Sequence, residues 1–309
     1  MWPIATYRNA FLIYNPFAGK LRGKRHHLLQ RTIDAMTNRG HGVTAIPTTG
    51  PNTAAEIARD SIGRGADLIL AAGGDGTINE VLNGMVHSDV PLAVLPAGTA
   101  NVLAVELGLG KNMHRAAERL DGFVSKRISL GLIENDFGLS RHFALMAGAG
   151  LDALIVYNIS ARLKASIGKA AYWIGGFGHV GKPLTEFNVR VEGRTVKCSF
   201  ALASRVRNYG GDLFIARNAS LLGDDFELVL FEGPHSLAYL KYFTGVLLGR
   251  LNNMKGVTLV RTRELELSYT EDPGVYVQID GEHAGRLPVR LRIVPQSLNL
   301  LVPSEFVNR

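Results

Sequence analysis

Leu68-Ile-Leu-Ala-Ala72 runs without a break into Gly73-Gly-Asp-Gly-Thr-Ile-Asn-Glu80, and this stretch decides the fold. An unbroken apolar run describes a strand buried on both faces, the mark of a parallel sheet covered by helices. Ile78, Val81, Leu82 and Met85 then recur at helical spacing. A strand that feeds clustered glycines and then a helix exposes backbone N–H groups at the helix start. There the amides and the helix dipole both favour anions. Glycine also lets backbone approach phosphate oxygens without a Cβ in the way. The turn matches neither G-x-x-x-x-G-K-[ST] nor G-x-G-x-x-G. Taken alone, the same residues also describe a glycine-rich turn with a capping Asp or Thr.

Outward from this stretch the alternation continues. Phe11-Leu-Ile-Tyr14 ends at Asn15-Pro16, and a helical stretch runs to about Asn38, where Gly40-His-Gly42 stops it. Val43-Thr-Ala-Ile46 reads as a strand. Thr53 with Glu56 is a capping-box signal that opens a helix ending near Gly63 and Gly65. Leu92-Ala-Val-Leu95 is a further buried strand, closed by Pro96 and followed by Gly98-Thr-Ala-Asn101 and a helix. In such sheets ligands bind at the carboxyl ends of the strands. The turns after Tyr14, Ala72 and Leu95 are therefore expected to converge.

Past the range 122–130 the period changes. Phe187, Val189 and Val191 alternate with polar residues, as do Leu265, Leu267 and Tyr269, then Val275, Val277 and Ile279, and finally Leu291 and Ile293. That is half-buried antiparallel strand. Helices are expected near Ser236–Leu248 and over Ala161–Phe177.

At 309 residues the chain exceeds what one core usually fills, so two domains are expected, over residues 1–125 and 126–309. The formal charge is +7 and the pI about 9.6. A basic surface suits nucleic acid, an anionic membrane face or a polyphosphate. The densest basic run is only Lys20-Leu-Arg-Gly-Lys-Arg25 and no nucleic-acid-reading motif is visible, so nucleic acid is not an expected partner. Cys198 is the single cysteine, which rules out an internal disulfide and fits a reducing cytoplasm. Its apolar surroundings mark it as core. No segment reaches the ~20 apolar residues of a membrane span, and the N-terminus lacks a signal-peptide pattern. Any membrane contact is expected to be peripheral. The adjacent His26-His27 pair cannot face one ion from a helix, so no zinc site is read.

Gly73-Gly-Asp-Gly-Thr77 resembles the nucleotide loop shared by diacylglycerol, sphingosine and NAD kinases and phosphofructokinases. Its extension Asn79-Glu80-Val-Leu-Asn83-Gly84 is similar to the diacylglycerol and sphingosine kinase branch. So are Asn15-Pro-Phe-Ala-Gly-Lys20, Pro96-Ala-Gly-Thr-Ala-Asn101, Asp280-Gly-Glu282 and the stretch Lys164 to Lys169 with Ala-Ala-Tyr172. The resemblance covers nearly the whole chain in order. It implies a doubly wound, phosphofructokinase-like parallel sheet followed by an antiparallel β-sandwich, with the extreme C-terminal tail packing back on the first domain. It also implies transfer of the γ-phosphoryl of ATP to a lipid hydroxyl, with Mg²⁺, at a membrane surface. Asn15, Pro16, Gly19 and Lys20 would line the phosphate end, with Thr48 beside the nucleotide. Gly73, Gly74, Asp75, Gly76 and Thr77 would form the loop, followed by Asn79 and Glu80. Gly98, Thr99 and Asn101 would complete the pocket. Asp280 would be the general base with Glu282 nearby. Asp75 would help order Mg²⁺, and Asp224 or Asp225 would hold a structural Mg²⁺.

Those residue types suit the chemistry. Phosphoryl transfer needs positioning and charge stabilisation, and a carboxylate to take the hydroxyl proton. Asp-Gly is equally a common hairpin turn, and Asp224-Asp225 equally a solvated one. Trp173 and Phe177, beside Tyr172, suit a lipid-facing wall or plain core. Val102 and Ser129 stand where many relatives carry Asp. That departure motivates one alternative, a nucleotide-binding regulator without turnover. An NAD kinase-like or other small-molecule kinase is the second. The acceptor lipid and the oligomeric state, a homodimer included, stay open.

Overall fold

The computed structural model describes residues 6–21, 26–158, 183–209, 213–270 and 274–307. The chain divides into two compact units, Met1–Ile128 with Gln296–Arg309, and Ser129–Pro295. The helix expected over Ala161–Phe177, with Lys164, Lys169, Tyr172 and Trp173, lies outside the described residues.

In the first unit β1 (Ala10–Tyr14), β2 (Val43–Pro47), β3 (Leu68–Gly73) and β4 (Leu92–Pro96) are parallel, in the order β2-β1-β3-β4. Helices α1 (His26–Thr37), α2 (Ala54–Gly63), α3 (Asp75–Met85), α4 (Val102–Glu106) and α5 (Met113–Glu118) connect and cover them. Every residue of β3 and β4 is buried, as a covered parallel sheet requires. The chain steps from β1 out to β2 and returns across β1 to β3. The strand order therefore reverses between β1 and β3, and ligands bind at such a switch point, outside the carboxyl ends.

The start of α2 is built differently from the sequence expectation. Thr53 makes no capping bond to the helix; its hydroxyl donates to Gly50 O at 2.8 Å. Glu80 of α3 instead accepts the Ala54 N–H at 3.1 Å. A carboxylate at a helix N-terminus is favoured by the dipole whichever element supplies it, and α2 packs directly on α3.

The second unit is a sandwich. The chain enters on β5 (Phe123–Glu134) and continues through β6 (Ser140–Phe143), β7 (Met146–Gly150), α6 (Leu151–Asn158), β8 (Phe187–Val191), β9 (Arg194–Cys198) and β10 (Phe200–Ser204). The short pair β11 (Asn208–Tyr209) and β12 (Leu213–Phe214) precedes β13 (Phe226–Phe231), α7 (Ala238–Leu248), β14 (Val257–Thr262), β15 (Glu264–Tyr269), β16 (Tyr276–Ile279) and β17 (Glu282–Arg286). One antiparallel sheet runs β14-β13-β10-β7-β16-β17. The other joins β9, β8 and β15 to the first half of β18 (Val289–Pro303), after which the chain ends in α8 (Ser304–Val307). The alternating residues meet in one core, with Phe187, Val189, Leu265, Leu267 and Leu291 against Leu228, Val277 and Ile279. Cys198 is buried in that core, and burial raises its thiol pKa well above the usual range. β13 is buried on both faces because α7 covers its outer side, where Tyr242 stacks on Phe231 with ring centroids 4.6 Å apart.

β18 serves both units. Val289 to Arg292 pair with β15 in the second, while Leu300 pairs with Leu92 of β4 in the first. Gln296, at φ +45°, marks the change.

Candidate active site

Three turns meet at the carboxyl ends of the first unit's strands. After β3, Gly73 and Gly74 lead into α3, whose first residues are Asp75, Gly76 and Thr77. Helix geometry leaves the first-turn N–H groups without intrahelical acceptors. A Cβ on Gly73 would lie 2.6 Å from Thr77 Oγ1. A Cβ on Gly98, in the turn after β4, would collide with Gly74 Cα. The two turns thus pack backbone to backbone, which only glycine permits. Gly98 N donates to Gly73 O at 2.8 Å. Asn101, held left-handed at φ +51°, closes the second turn: its side chain accepts from Gly98 N at 2.9 Å and donates to Gly98 O at 2.8 Å. Asn tolerates that backbone region better than most residues.

The turn after β1 joins them. Asn15 Nδ2 donates to Thr77 Oγ1 at 3.4 Å, and Asn15 Oδ1 accepts Phe17 N at 2.9 Å. Gly19 approaches Thr99, and Lys20 N donates to Ala97 O at 3.0 Å. The Lys20 ammonium donates to the carbonyls of Pro96 and Lys111. Burial, and then Lys111 nearby, lowers its pKa. Pro16 sits half-buried between Asn15 and the exposed Phe17. Thr48, at the end of β2, is buried and donates its N–H to Tyr14 O at 2.8 Å. Asp75 Oδ1 accepts Leu103 N of α4 at 3.3 Å, Val102 being the residue just before it. Asn79 is buried and hydrogen-bonded to Asn83, while the Glu80 carboxylate is the one that caps α2.

The second unit carries a turn of the opposite kind. Asp280 and Gly281 form a two-residue hairpin loop between β16 and β17, with φ +48° and +82°. Positive φ at both central residues is what a type I′ hairpin needs. The Asp280 side chain is held by three N–H groups: Oδ2 accepts Ala144 N at 3.1 Å, and Oδ1 accepts Leu145 N at 2.9 Å and Met146 N at 3.0 Å. Glu282 accepts from Arg141 at 2.8 Å.

Behind this turn lies a set that sequence reading missed. Gly281 N donates to Gln278 Oε1 at 2.9 Å, Gln278 Nε2 donates to Asp152 Oδ2 at 2.7 Å, and the Tyr209 hydroxyl donates to Asp152 Oδ1. Asp152 is buried, and burial pushes its carboxyl up to about 6 against the pull of those two donors. Gly148 makes the room, since a Cβ there would lie 2.9 Å from Gln278 Nε2 and would collide with the Asp152 carboxylate.

In the acidic turn 224–225 both carboxylates accept hydrogen bonds from protein groups. Both Asp225 oxygens accept from Arg261, at 2.8 and 2.7 Å, and Asp224 accepts the Ser129 hydroxyl. Arg205 is fully buried and donates to Leu221 O at 2.8 Å; its Nε and Nη1 have no hydrogen-bond partner among the described residues. Burial pulls its pKa down to about 10, against the fields of Asp224, Asp225 and Asp280. Two arginines thus stand against two carboxylates here. Among the described residues no three His, Cys, Asp or Glu side chains converge as metal ligands. The ion expected at this turn calls for one carboxylate with backbone carbonyls rather than three converging side chains. A Mg²⁺ that travels with a nucleotide asks for less, since it takes one or two carboxylates and completes its shell with phosphate and water.

The first unit thus holds a glycine turn at the switch point of a parallel sheet, and the second is an antiparallel sandwich. The chain matches the diacylglycerol kinase catalytic domain over residues 9–133 and the YegS C-terminal NAD kinase beta sandwich-like domain over residues 146–302. It therefore belongs to the diacylglycerol kinase catalytic-domain superfamily. Among its relatives, a Bacillus subtilis protein named diacylglycerol kinase is 27% identical over 305 residues, 96% of this chain and 97% of that protein. A Mycobacterium tuberculosis protein of the same name is 28% identical over 295 residues, 94% of this chain and 93% of that protein. The crystal structure of a diacylglycerol kinase from Bacillus anthracis superposes with a TM-score of 0.78 at 20% identity, covering 97% of this chain and 99% of that one, a likeness of fold.

Proposed function

We infer that the chain is an ATP-dependent lipid kinase that moves a γ-phosphoryl group onto the hydroxyl of a lipid, diacylglycerol being the acceptor the relatives' names suggest. The observation that carries this reading is the glycine cradle: Gly73–Thr77 and Gly98 packed backbone to backbone, beside the turn that begins at Asn15. Nothing larger than glycine fits at 73 or 98 without a shift, and a strand feeding glycines into a helix start offers N–H groups suited to phosphate oxygens.

In this reading the first unit holds the nucleotide. Asn15, Gly19, Lys20, Thr48, Thr99 and Asn101 shape the pocket around the loop. Asp75, which also accepts Leu103 N, would help order Mg²⁺ arriving with ATP; the ion would neutralise charge on the transferred group. The second unit supplies the base. Asp280 takes the proton of the acceptor hydroxyl as that oxygen attacks the γ-phosphorus, and ADP leaves. The three N–H donors from Ala144 to Met146 fix the carboxylate in one orientation. A held general base contributes roughly 10²–10⁴ in rate. The enzyme works from the cytoplasmic side on lipid at the membrane surface.

The test is radiolabelled ATP with a panel of lipid alcohols, and with NAD beside them, read by chromatography. Label in a lipid and none in NAD phosphate is the expected result. Label only in NAD phosphate would replace this reading with an NAD kinase, and nucleotide binding without transfer to any acceptor with a regulator.

A further inference from the structure

Helix α7 is apolar on both sides. Its inner side buries Tyr242, Gly245 and Val246. Its outer side carries Leu237, Leu240, Lys241, Thr244, Leu247 and Leu248, all exposed. Those positions fall at i, i+3, i+4, i+7, i+10 and i+11, one stripe of a helix. The leucines in it are 62%, 43%, 56% and 64% exposed in chain order. A helix apolar all round belongs in an interior or against an apolar medium. One exposed leucine is ordinary; a stripe of them marks an interaction site. Phe214, also exposed, sits on β12, which packs against α7.

Charge selects the partner. From Gly233 to Arg263 the chain has no Asp or Glu and five Lys or Arg. Lys241 lies within the stripe, Arg250 and Lys255 follow it, and all three are exposed. The Arg217 guanidinium lies against Gly249, at the helix end. A second copy docked through this stripe on a two-fold axis would set these cations against themselves. A bilayer with anionic headgroups meets both features, because leucines enter the acyl boundary while cations stay with the phosphates.

We propose that the outer stripe of α7 is a membrane-docking surface for anionic bilayers. It rests on the lipid-kinase reading and adds where that enzyme meets its substrate phase. The docking helix lies flat, with Leu240, Leu247 and Leu248 inserted and Lys241, Arg250 and Lys255 at headgroup level.

The experiment is sedimentation of the full chain with unilamellar vesicles of phosphatidylcholine containing about one third phosphatidylglycerol. The wild type is expected to partition onto these and far less onto pure phosphatidylcholine. Changing Leu247→Gln together with Leu248→Gln should weaken partitioning about tenfold. Lys241→Glu should weaken it about fivefold. All these side chains are exposed, so thermal unfolding should not move. Turnover of a short-chain diacylglycerol dissolved below its aggregation limit should match wild type in the leucine variant. If wild type transfers nothing to that lipid, diacylglycerol is not the acceptor and the panel decides the kinase reading, whereas the vesicle arm reads docking alone. Docking is overturned if wild type ignores anionic vesicles, or binds both vesicle types equally. It is overturned too if the leucine variant partitions like wild type, or if sedimentation velocity shows a wild-type dimer that the variant dissolves with vesicle binding unchanged.

Discussion

The two units each carry a turn rich in backbone N–H groups, and they use them in opposite ways. In the first unit the side chains fold back. Asn101 closes on Gly98, Asp75 reaches Leu103, and Gly74 and Gly76 stay half-buried. In the second unit the N–H groups of Ala144, Leu145 and Met146 turn inward and hold the protein's own carboxylate, Asp280. The first arrangement suits an anion that arrives; the second already contains its anion. Sites that receive a charge are therefore built by removing side chains, and sites that present one by bracing a side chain from behind.

The largest effect should come from removing the held anion. Asp280→Asn is expected to lower phosphoryl transfer by 10²–10⁴, within the range of a lost general base, with nucleotide affinity changed by less than about threefold. Single-turnover kinetics and nucleotide titration check the two halves. Equal loss in both would make Asp280 a structural residue and erase the contrast.

Next comes the brace. Burial raises the Asp152 carboxyl from its unfolded value to about 6. The native state therefore keeps a proton that the unfolded chain gives up between about pH 4 and 6, so stability falls as pH rises through that window and is level above it. The shift corresponds to about 3 kcal/mol. Asp152→Asn should remove that slope in denaturant unfolding measured from pH 4 to 7; a wild-type slope retained in the variant would assign it to other groups.

A smaller effect is expected in the cradle. Gly98→Ala forces a Cβ into Gly74 and should cost about 2 kcal/mol along with most nucleotide binding. Gly50→Ala, with nothing within 4 Å of the added carbon, should stay within about 0.5 kcal/mol. Lys20→Ala should act on binding more than on stability, with about a tenfold loss of nucleotide affinity, or about 1.4 kcal/mol. No loss would make its bonds to Pro96 and Lys111 purely structural.

Much of the fold could be read from period alone. The apolar runs of β1, β3 and β4 and the alternation in β8, β15, β16 and β18 are direct prints of burial on two faces or one. The glycine turn was legible as a turn because a buried apolar run leads straight into clustered glycines and then a helical period. The brace was not. Asp152 sits in an apolar helix, and its partners Tyr209 and Gln278 lie 57 and 126 residues away, with no spacing to announce them. Nor could sequence show that Glu80, three residues past Thr77, would turn to the start of α2, because that depends on how two helices pack. Arg205 gave no sign of burial either; the carboxylates around it are neighbours only in space.

The final strand gives the chain an order of completion. Residues from Gln296 onward belong to the unit that begins at the N-terminus, and Leu300 lies beside β4. On the ribosome the first unit is begun first and finished last, waiting with one sheet border open while the whole sandwich is synthesised. A gene fragment cut after Ile128 would keep that border unpaired, an invitation to stick to other chains. Adding the C-terminal segment back through a short linker should yield a fragment that stays in solution.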